Sequence, residues 1–293
     1  MHGTKVRSKE FASGSLNRLP IDDWRSIWSF VGPIVDISES FRKELDDFSR
    51  FAIYSPQTAV MRGLAVDNRV VEPLGLTGSG LASAFERALG HRPSPAMRGL
   101  LSVIWSPGWA DQIRVGDFDS LIVPSQVKGE GRILYIRDKY MRGGRNYLSP
   151  FDASEGTLYL IFVAALLAHP ETPDTFALDN VDGTLNPKLV RTLTSHIVNA
   201  CTSAEGALAK QVFMTSHHPS ALDSFDIFND EQKIFIASRR DGEDSTQKQE
   251  ASGSTHFRQF KPPKGMDKDA WVATHGARKL SELLLTARIR DAL

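Results

Sequence analysis

The sequence predicts an α/β fold built on a mostly parallel sheet flanked by helices, and three stretches in its middle predict it. Residues 158–168 form an uninterrupted apolar run, long enough for a buried helix and too short to cross a membrane. Residues 176–178 and 212–214 are short apolar runs that read as buried strands, with a helix expected from Pro187 to about Ala200 between them. Strands that alternate with helices in this order build a sheet whose carboxyl ends form a ligand crevice.

Each of these stretches begins or ends in residues that can do chemistry. Ser154-Glu155-Gly156 stands just before the first apolar run, at a helix N-terminus. There the free backbone N–H groups and the helix dipole favour an anion, and a glycine lets the backbone approach it closely. The same serine also suits a plain helix cap, with Glu155 in the first turn. The first strand closes on Asp179, a carboxylate at a strand end, which suits Mg²⁺ as a hard ion taking oxygen ligands and keeping several waters. Asp179-Asn180 and Asp182-Gly183 are equally turn dipeptides. The second strand runs into Thr215-Ser216-His217-His218-Pro219, whose side chains suit a terminal phosphate or an attacking water, or structural hydrogen bonds.

Taken together, the order and spacing of these pieces resemble the carboxyl-terminal lobe of the RecF-like, ABC-type ATPases, often labelled AAA-type and related to the SMC and OLD proteins. The run from Asp179 to Pro187 matches that group's Asp-Glu-Pro-Glu-Asn-Gly-Leu-His-Pro at its first, seventh and ninth places, with Asp182 conservative at the fourth. The resemblance implies a P-loop NTPase-like ABC-type lobe with a helical and short-strand amino-terminal region. It also implies that Ser154, Glu155 and Gly156 form the signature motif that contacts nucleotide, that Asp179 is the Walker B aspartate holding Mg²⁺, and that His217 is the switch histidine. ATP and Mg²⁺ are the ligands it implies. Asn180 stands where the group carries a glutamate that polarises the attacking water; an amide orients water but does not take its proton at neutral pH. At lower specificity the likeness extends from about residue 45 to the end, through Phe51-Ala52-Ile53-Tyr54-Ser55-Pro56, Gly78-Ser79-Gly80-Leu81-Ala82 and Lys279-Leu280-Ser281-Glu282-Leu283-Leu284.

No Gly-x-x-x-x-Gly-Lys-Ser/Thr occurs in the sequence; the nearest run, Gly75-Leu76-Thr77-Gly78-Ser79-Gly80, lacks the lysine and reads as a turn or as a weak phosphate loop. The expectation is an ATPase inactive or weak alone, whose phosphate loop lies on a missing upstream segment or on another subunit. Such ATPases work as head-to-tail sandwiches, so the resemblance implies a homo- or heterodimer with a complete ATPase subunit, or a scaffold that keeps the fold without nucleotide. DNA repair, chromosome handling and defence against mobile elements are the processes it implies.

Composition is that of a cytoplasmic protein. Lys+Arg and Asp+Glu are 35 each in 293 residues, so no global field draws the chain to nucleic acid or to an anionic membrane. One cysteine, Cys201, excludes an internal disulfide framework and fits a reducing compartment. The organisation expected is a helical and short-strand region over residues 1–148, the ATPase lobe over 149–238, a polar linker or insertion over 239–266 and a closing helix over 267–293. Within the first region helices are expected over about 22–47, interrupted at Gly32-Pro33, and over 79–89 and 96–105, with short strands near 112–115, 120–123 and 132–138. Trp24, Ile27, Trp28 and Val31 recur at helical spacing as core or interface. Lys139, Arg142 and Arg145 around Gly143-Gly144 are the one local basic cluster, a solvated loop or a phosphate contact.

Overall fold

The computed structural model describes residues 38–66, 74–90, 95–127, 131–202, 208–239 and 255–286. The chain divides into two units, residues 1–49 and 50–293. In the first, helix α1 (Glu39–Ser49) has no buried residue, and its Phe41 and Phe48 are exposed. Trp24, Ile27, Trp28 and Val31 lie outside the described residues.

The second unit is organised by a three-stranded parallel sheet in the order β1 (Ala52–Tyr54), β5 (Thr175–Leu178), β6 (Gln211–Met214). Before β5 come α2 (Thr58–Met61), α3 (Leu81–Leu89), α4 (Pro95–Ser102), the antiparallel strands β2 (Ala110–Asp117), β3 (Arg132–Asp138) and β4 (Tyr147–Leu148), and α5 (Glu155–Ala168). Helix α6 (Pro187–Thr202) makes the crossover from β5 to β6. Strand β1 precedes the expected boundary at 148 and pairs directly with β5 beyond it.

Helix α5 is apolar on every side, and every residue from Thr157 to Ala168 is buried. An all-round apolar helix has no face to give to water, so it becomes the centre of the core. α2, α3 and α4 pack against it. It meets the sheet through Phe162, whose ring lies edge-on to Tyr54 at 6.2 Å; Tyr54 in turn meets Phe176 at 5.8 Å. The Tyr54 hydroxyl is buried with no hydrogen-bond partner, and burial, only partly offset by Arg50, pushes its pKa up to about 12. Removing that unpaired group while keeping the ring, as in Tyr54→Phe, is expected to raise stability by about 1 kcal/mol. A higher urea midpoint with an unchanged slope would show it.

The register sets Tyr54, Leu178 and Met214 on the core face, with Ala52, Phe176 and Val212 one step away on the same face. The opposite face carries Ile53, Ala177 and Phe213, of which Ile53 is 56% and Phe213 50% exposed. Strand β6 is therefore not the buried strand that its Val-Phe-Met run suggests. Among the described residues it lies at the edge of the sheet, where the Phe213 ring stands edge-on to that of Phe51 at 6.2 Å.

Three further expectations change. Residues 120–123 form a turn, tied by Ile122 and Val123 N–H groups to the Asp119 carbonyl, and not a strand. Within the expected polar linker, β8 (Thr255–Phe260) pairs antiparallel with β7 (Ile234–Arg239). The expected closing helix is two helices, α7 (Lys268–His275) and α8 (Leu280–Leu285), parted at Gly276. Lys139, Arg142 and Arg145 are exposed on the turn between β3 and β4, the solvated-loop arrangement. No helix among the described residues is long and apolar enough to cross a membrane.

Candidate functional site

Two strand ends and one helix start gather the residues singled out by the sequence. Ser154 caps α5: its backbone is extended, and its Oγ accepts from Thr157 N at 3.3 Å. Ser154 Oγ also lies 2.8 Å from Thr157 Oγ1, which accepts from the indole N–H of Trp109 at 3.1 Å. A chain of polar contacts thus runs from the start of β2 to an exposed serine at a helix N-terminus. The capping reading holds, and the serine keeps its exposure. Glu155 is exposed in the first turn, where its charge suits the helix dipole.

Gly156 has a packing reason to be glycine. A Cβ there would stand 3.2 Å from Leu185 Cδ2 and 3.4 Å from the Thr184 carbonyl oxygen. The first turn of α5 and the turn that follows β5 are therefore in direct contact.

That second turn begins at Asp179, exposed at the end of β5. Its Oδ1 accepts from the Thr215 hydroxyl at 2.5 Å, and its backbone N–H bonds the Tyr54 carbonyl at 2.8 Å. Thr215 Oγ1 also accepts from Asn180 N at 2.8 Å, so the ends of β5 and β6 are locked together by one hydroxyl. Asn180 has φ 57°, the left-handed region, and its carbonyl accepts from Gly183 N at 3.0 Å. A Cβ on Gly183 would stand 2.7 Å from Asn180 Nδ2 and 3.4 Å from the Asn180 carbonyl oxygen, so a larger residue there displaces the Asn180 side chain. Asn180 is thus the corner of a tight turn, a place that asparagine tolerates better than glutamate. Accordingly, Asn180→Glu is expected to lower stability by about 1 kcal/mol without raising ATP turnover. Denaturant unfolding and a phosphate-release assay would check the two halves.

Asp182 faces the other strand end, its two carboxylate oxygens 3.3 and 3.2 Å from the backbone N–H of His217. The His217 side chain is exposed. His218, by contrast, is structural: its Nδ1 accepts from Ser220 N at 3.1 Å and caps the short turn of helix that follows. Behind the turn lies Tyr159, 3% exposed, its hydroxyl buried with no hydrogen-bond partner. Its pKa is raised, first by burial and then by the negative charges of Asp182 and Asp179.

Asp179, Asp182, Thr215 and His217 are thus brought to one end of the sheet, and Gly156 is brought to the turn beside them. Sequence reasoning missed Thr157, Trp109 and Tyr159. Thr157 and Tyr159 sit at the start of an apolar run that reads as core throughout, and Trp109 lies outside every motif. Among the described residues no group of three or more His, Cys, Asp or Glu side chains could cage a metal ion. A lone strand-end aspartate with one free oxygen fits Mg²⁺ carried in with phosphate and water, not an all-protein site.

A parallel sheet with a buried helix beneath it and an acid at the end of its central strand is an α/β arrangement that places ligand-facing residues at the strand ends, and the family match gives its class, an AAA/ABC-type ATPase domain. Over residues 21–223 the chain matches the family described as "AAA domain, putative AbiEii toxin, Type IV TA system", and it belongs to that family. Among solved structures it is similar to an SmcHead bound to the C-winged helix domain of ScpA, at 16% identity over 61% of this chain and 44% of that one, with a TM-score of 0.37. It is also similar to an Smc head domain with an extended coiled coil bound to the C-terminal domain of ScpA, from Pyrococcus furiosus, at 15% identity over 60% and 35% with a TM-score of 0.37. A third, the Smc head domain with a coiled coil and joint from Pyrococcus yayanosii, has 15% identity over 60% and 27%, with a TM-score of 0.36. The chain spans less than half the length of each of these. No curated protein matches it.

Proposed function

We propose that the chain is a signature-bearing ATPase lobe of the RecF-like ABC group that presents Ser154 and Gly156 to ATP·Mg²⁺ held by a complete partner subunit, and that alone it hydrolyses ATP slowly or not at all. The observation that carries this reading is Asn180. The place where the group has its water-polarising glutamate is the corner of a left-handed turn, held by Thr215. The other acid of that turn, Asp182, is turned to the backbone N–H of His217. Ser154, by contrast, is exposed, capped into place and backed by Thr157 and Trp109.

ATP·Mg²⁺, when bound, supplies the phosphoryl group and the cation that neutralises it, and catalysis is then mostly positioning and charge. On this reading the chain's own parts divide as follows. Asp179 offers its free carboxylate oxygen to the cation's water, oriented by the Thr215 bond on the other oxygen. His217 stands beside it at the end of β6 to sense the terminal phosphate. Ser154 and Gly156, at the start of α5, close over phosphate from the neighbouring subunit with the helix N-terminus behind them.

The test uses the purified chain and a full-length relative. The chain alone is expected to show no saturable ATP·Mg²⁺ binding and no turnover, while its addition speeds hydrolysis by the relative. Turnover by the chain alone, or a mixture no faster than the relative, would remove the proposal.

A further inference from the structure

The hairpin of β7 and β8 lies beyond residues 21–223, the part of the chain that matches the family, and carries none of the residues of the proposed nucleotide site. Its register puts Phe235 and Ala237 on one face with Gln259, Phe257 and Thr255, because directly opposed residues of an antiparallel pair point the same way. The other face turns inward, with Ile234 buried and Ile236 and Phe260 half-buried. The first face stays open: Phe235 is 56% and Phe257 73% exposed. Gln259 stands opposite Phe235 and Ala237 opposite Phe257, so the two rings lie on a diagonal among small or polar neighbours. No Leu, Ile, Val or Met joins them among the described residues of that face, so they do not form the broad apolar patch that another protein would cover.

Charge is the second observation. Over the whole chain Lys+Arg and Asp+Glu balance at 35 each. In residues 232–239 and 255–266, Lys233, Arg239, Arg258, Lys261 and Lys264 are accompanied by no Asp or Glu. The joining run 240–254 lies outside the described residues and holds Arg240 and Lys248 with Asp241, Glu243, Asp244 and Glu250, so the stretch from 232 to 266 has seven basic residues against four acidic ones. Lys233 and Lys261 are exposed at the foot of the open face, one residue before β7 and one after β8, and Lys264 is exposed just beyond. Lys233 meets Asp230 at 3.2 Å, while among the described residues Lys261 and Lys264 form no ion pair.

Exposed flat rings beside unpaired cations suit a ligand that offers stacking faces and negative charge together. A single-stranded nucleic acid offers both; a duplex hides its base faces, and an acidic peptide has none. We propose that the open face of this hairpin binds single-stranded nucleic acid, with bases stacked on Phe235 and Phe257 and phosphates met by Lys233, Lys261 and Lys264. These contacts are to base faces and phosphates, so DNA and RNA strands are expected to bind alike.

Fluorescein-labelled oligothymidylate and oligouridylate of about 12 nucleotides are the probes, titrated with the full chain and followed by anisotropy at fixed salt. Saturable binding at micromolar protein is expected, with either strand preferred to a duplex of the same length. Phe235→Ala and Phe257→Ala are each expected to weaken it about tenfold, the loss of one stacked base, and Phe257→Tyr to retain it. Both rings are exposed, so an unchanged urea midpoint is expected in these variants and separates lost binding from misfolding. Lys261→Gln combined with Lys264→Gln is expected to flatten the dependence of affinity on salt. Absence of saturable binding, a duplex bound as tightly as the single strands, or unchanged affinity in both alanine variants would overturn the proposal. Displacement of the probe by polyglutamate as readily as by unlabelled strand would do the same and mark a surface for acidic peptide.

Discussion

Truncating Phe162 to alanine is expected to lower the unfolding free energy by about 3–5 kcal/mol, the range for large-to-small changes at a fully buried aromatic. Phe162 is fully buried in the middle of α5, edge-on to Tyr54, and so joins the central helix to the sheet. The Gly78 turn also packs near it, since a Cβ on Gly78 would stand 3.7 Å from the Phe162 ring. None of these neighbours is a flexible surface side chain, so the space left by the ring closes poorly. Urea unfolding followed by circular dichroism would measure the loss; a change under about 1 kcal/mol would mean that α5 is not the organising core.

Ser154→Arg is expected to abolish the stimulation of a full-length relative while leaving the fold intact. The position is exposed, so the larger side chain meets no core, and the stability cost is that of a lost helix cap, about 1 kcal/mol. On the proposed reading its effect on the partner is of another order, because arginine fills the space over the helix start and removes the hydroxyl proposed to meet the neighbour's phosphate. Ser154→Ala separates the two contributions. It removes the cap and the hydroxyl without adding bulk, so it retains part of the stimulation if closure is steric and loses nearly all of it if the hydroxyl bond dominates. Equal stimulation by native chain and Ser154→Arg would refute a role for this face.

Some of this was legible from the residues and some was not, for physical reasons. The α5 run announces itself because twelve consecutive buried positions leave no periodicity other than an all-apolar one. Asp179 is legible as a strand end because the apolar run stops there. The left-handed corner at Asn180 follows from the turn dipeptide, but its consequence for catalysis needs the backbone angle. Exposure of Phe213 was hidden: Val-Phe-Met reads alike in a central and an edge strand, and only the number of neighbours decides. Strand β8 was hidden by its polarity. Thr-His-Phe-Arg-Gln-Phe looks like linker until β7 supplies its hydrogen-bond partners. Thr215 stood within a recognised stretch, yet its double role, donating to Asp179 and accepting from Asn180, is a property of two strand ends meeting and not of either alone.

The contact between Gly156 and the Thr184–Leu185 segment gives the subunit a mechanical property. The start of α5 and the turn that carries Asp179 meet at the Thr184 carbonyl and the Leu185 side chain, with room for no side chain on Gly156. Close-packed elements of this kind transmit strain, so a displacement of one is felt by the other. A partner docked at the helix start, as proposed, would through this contact bear directly on the turn that holds Asp179.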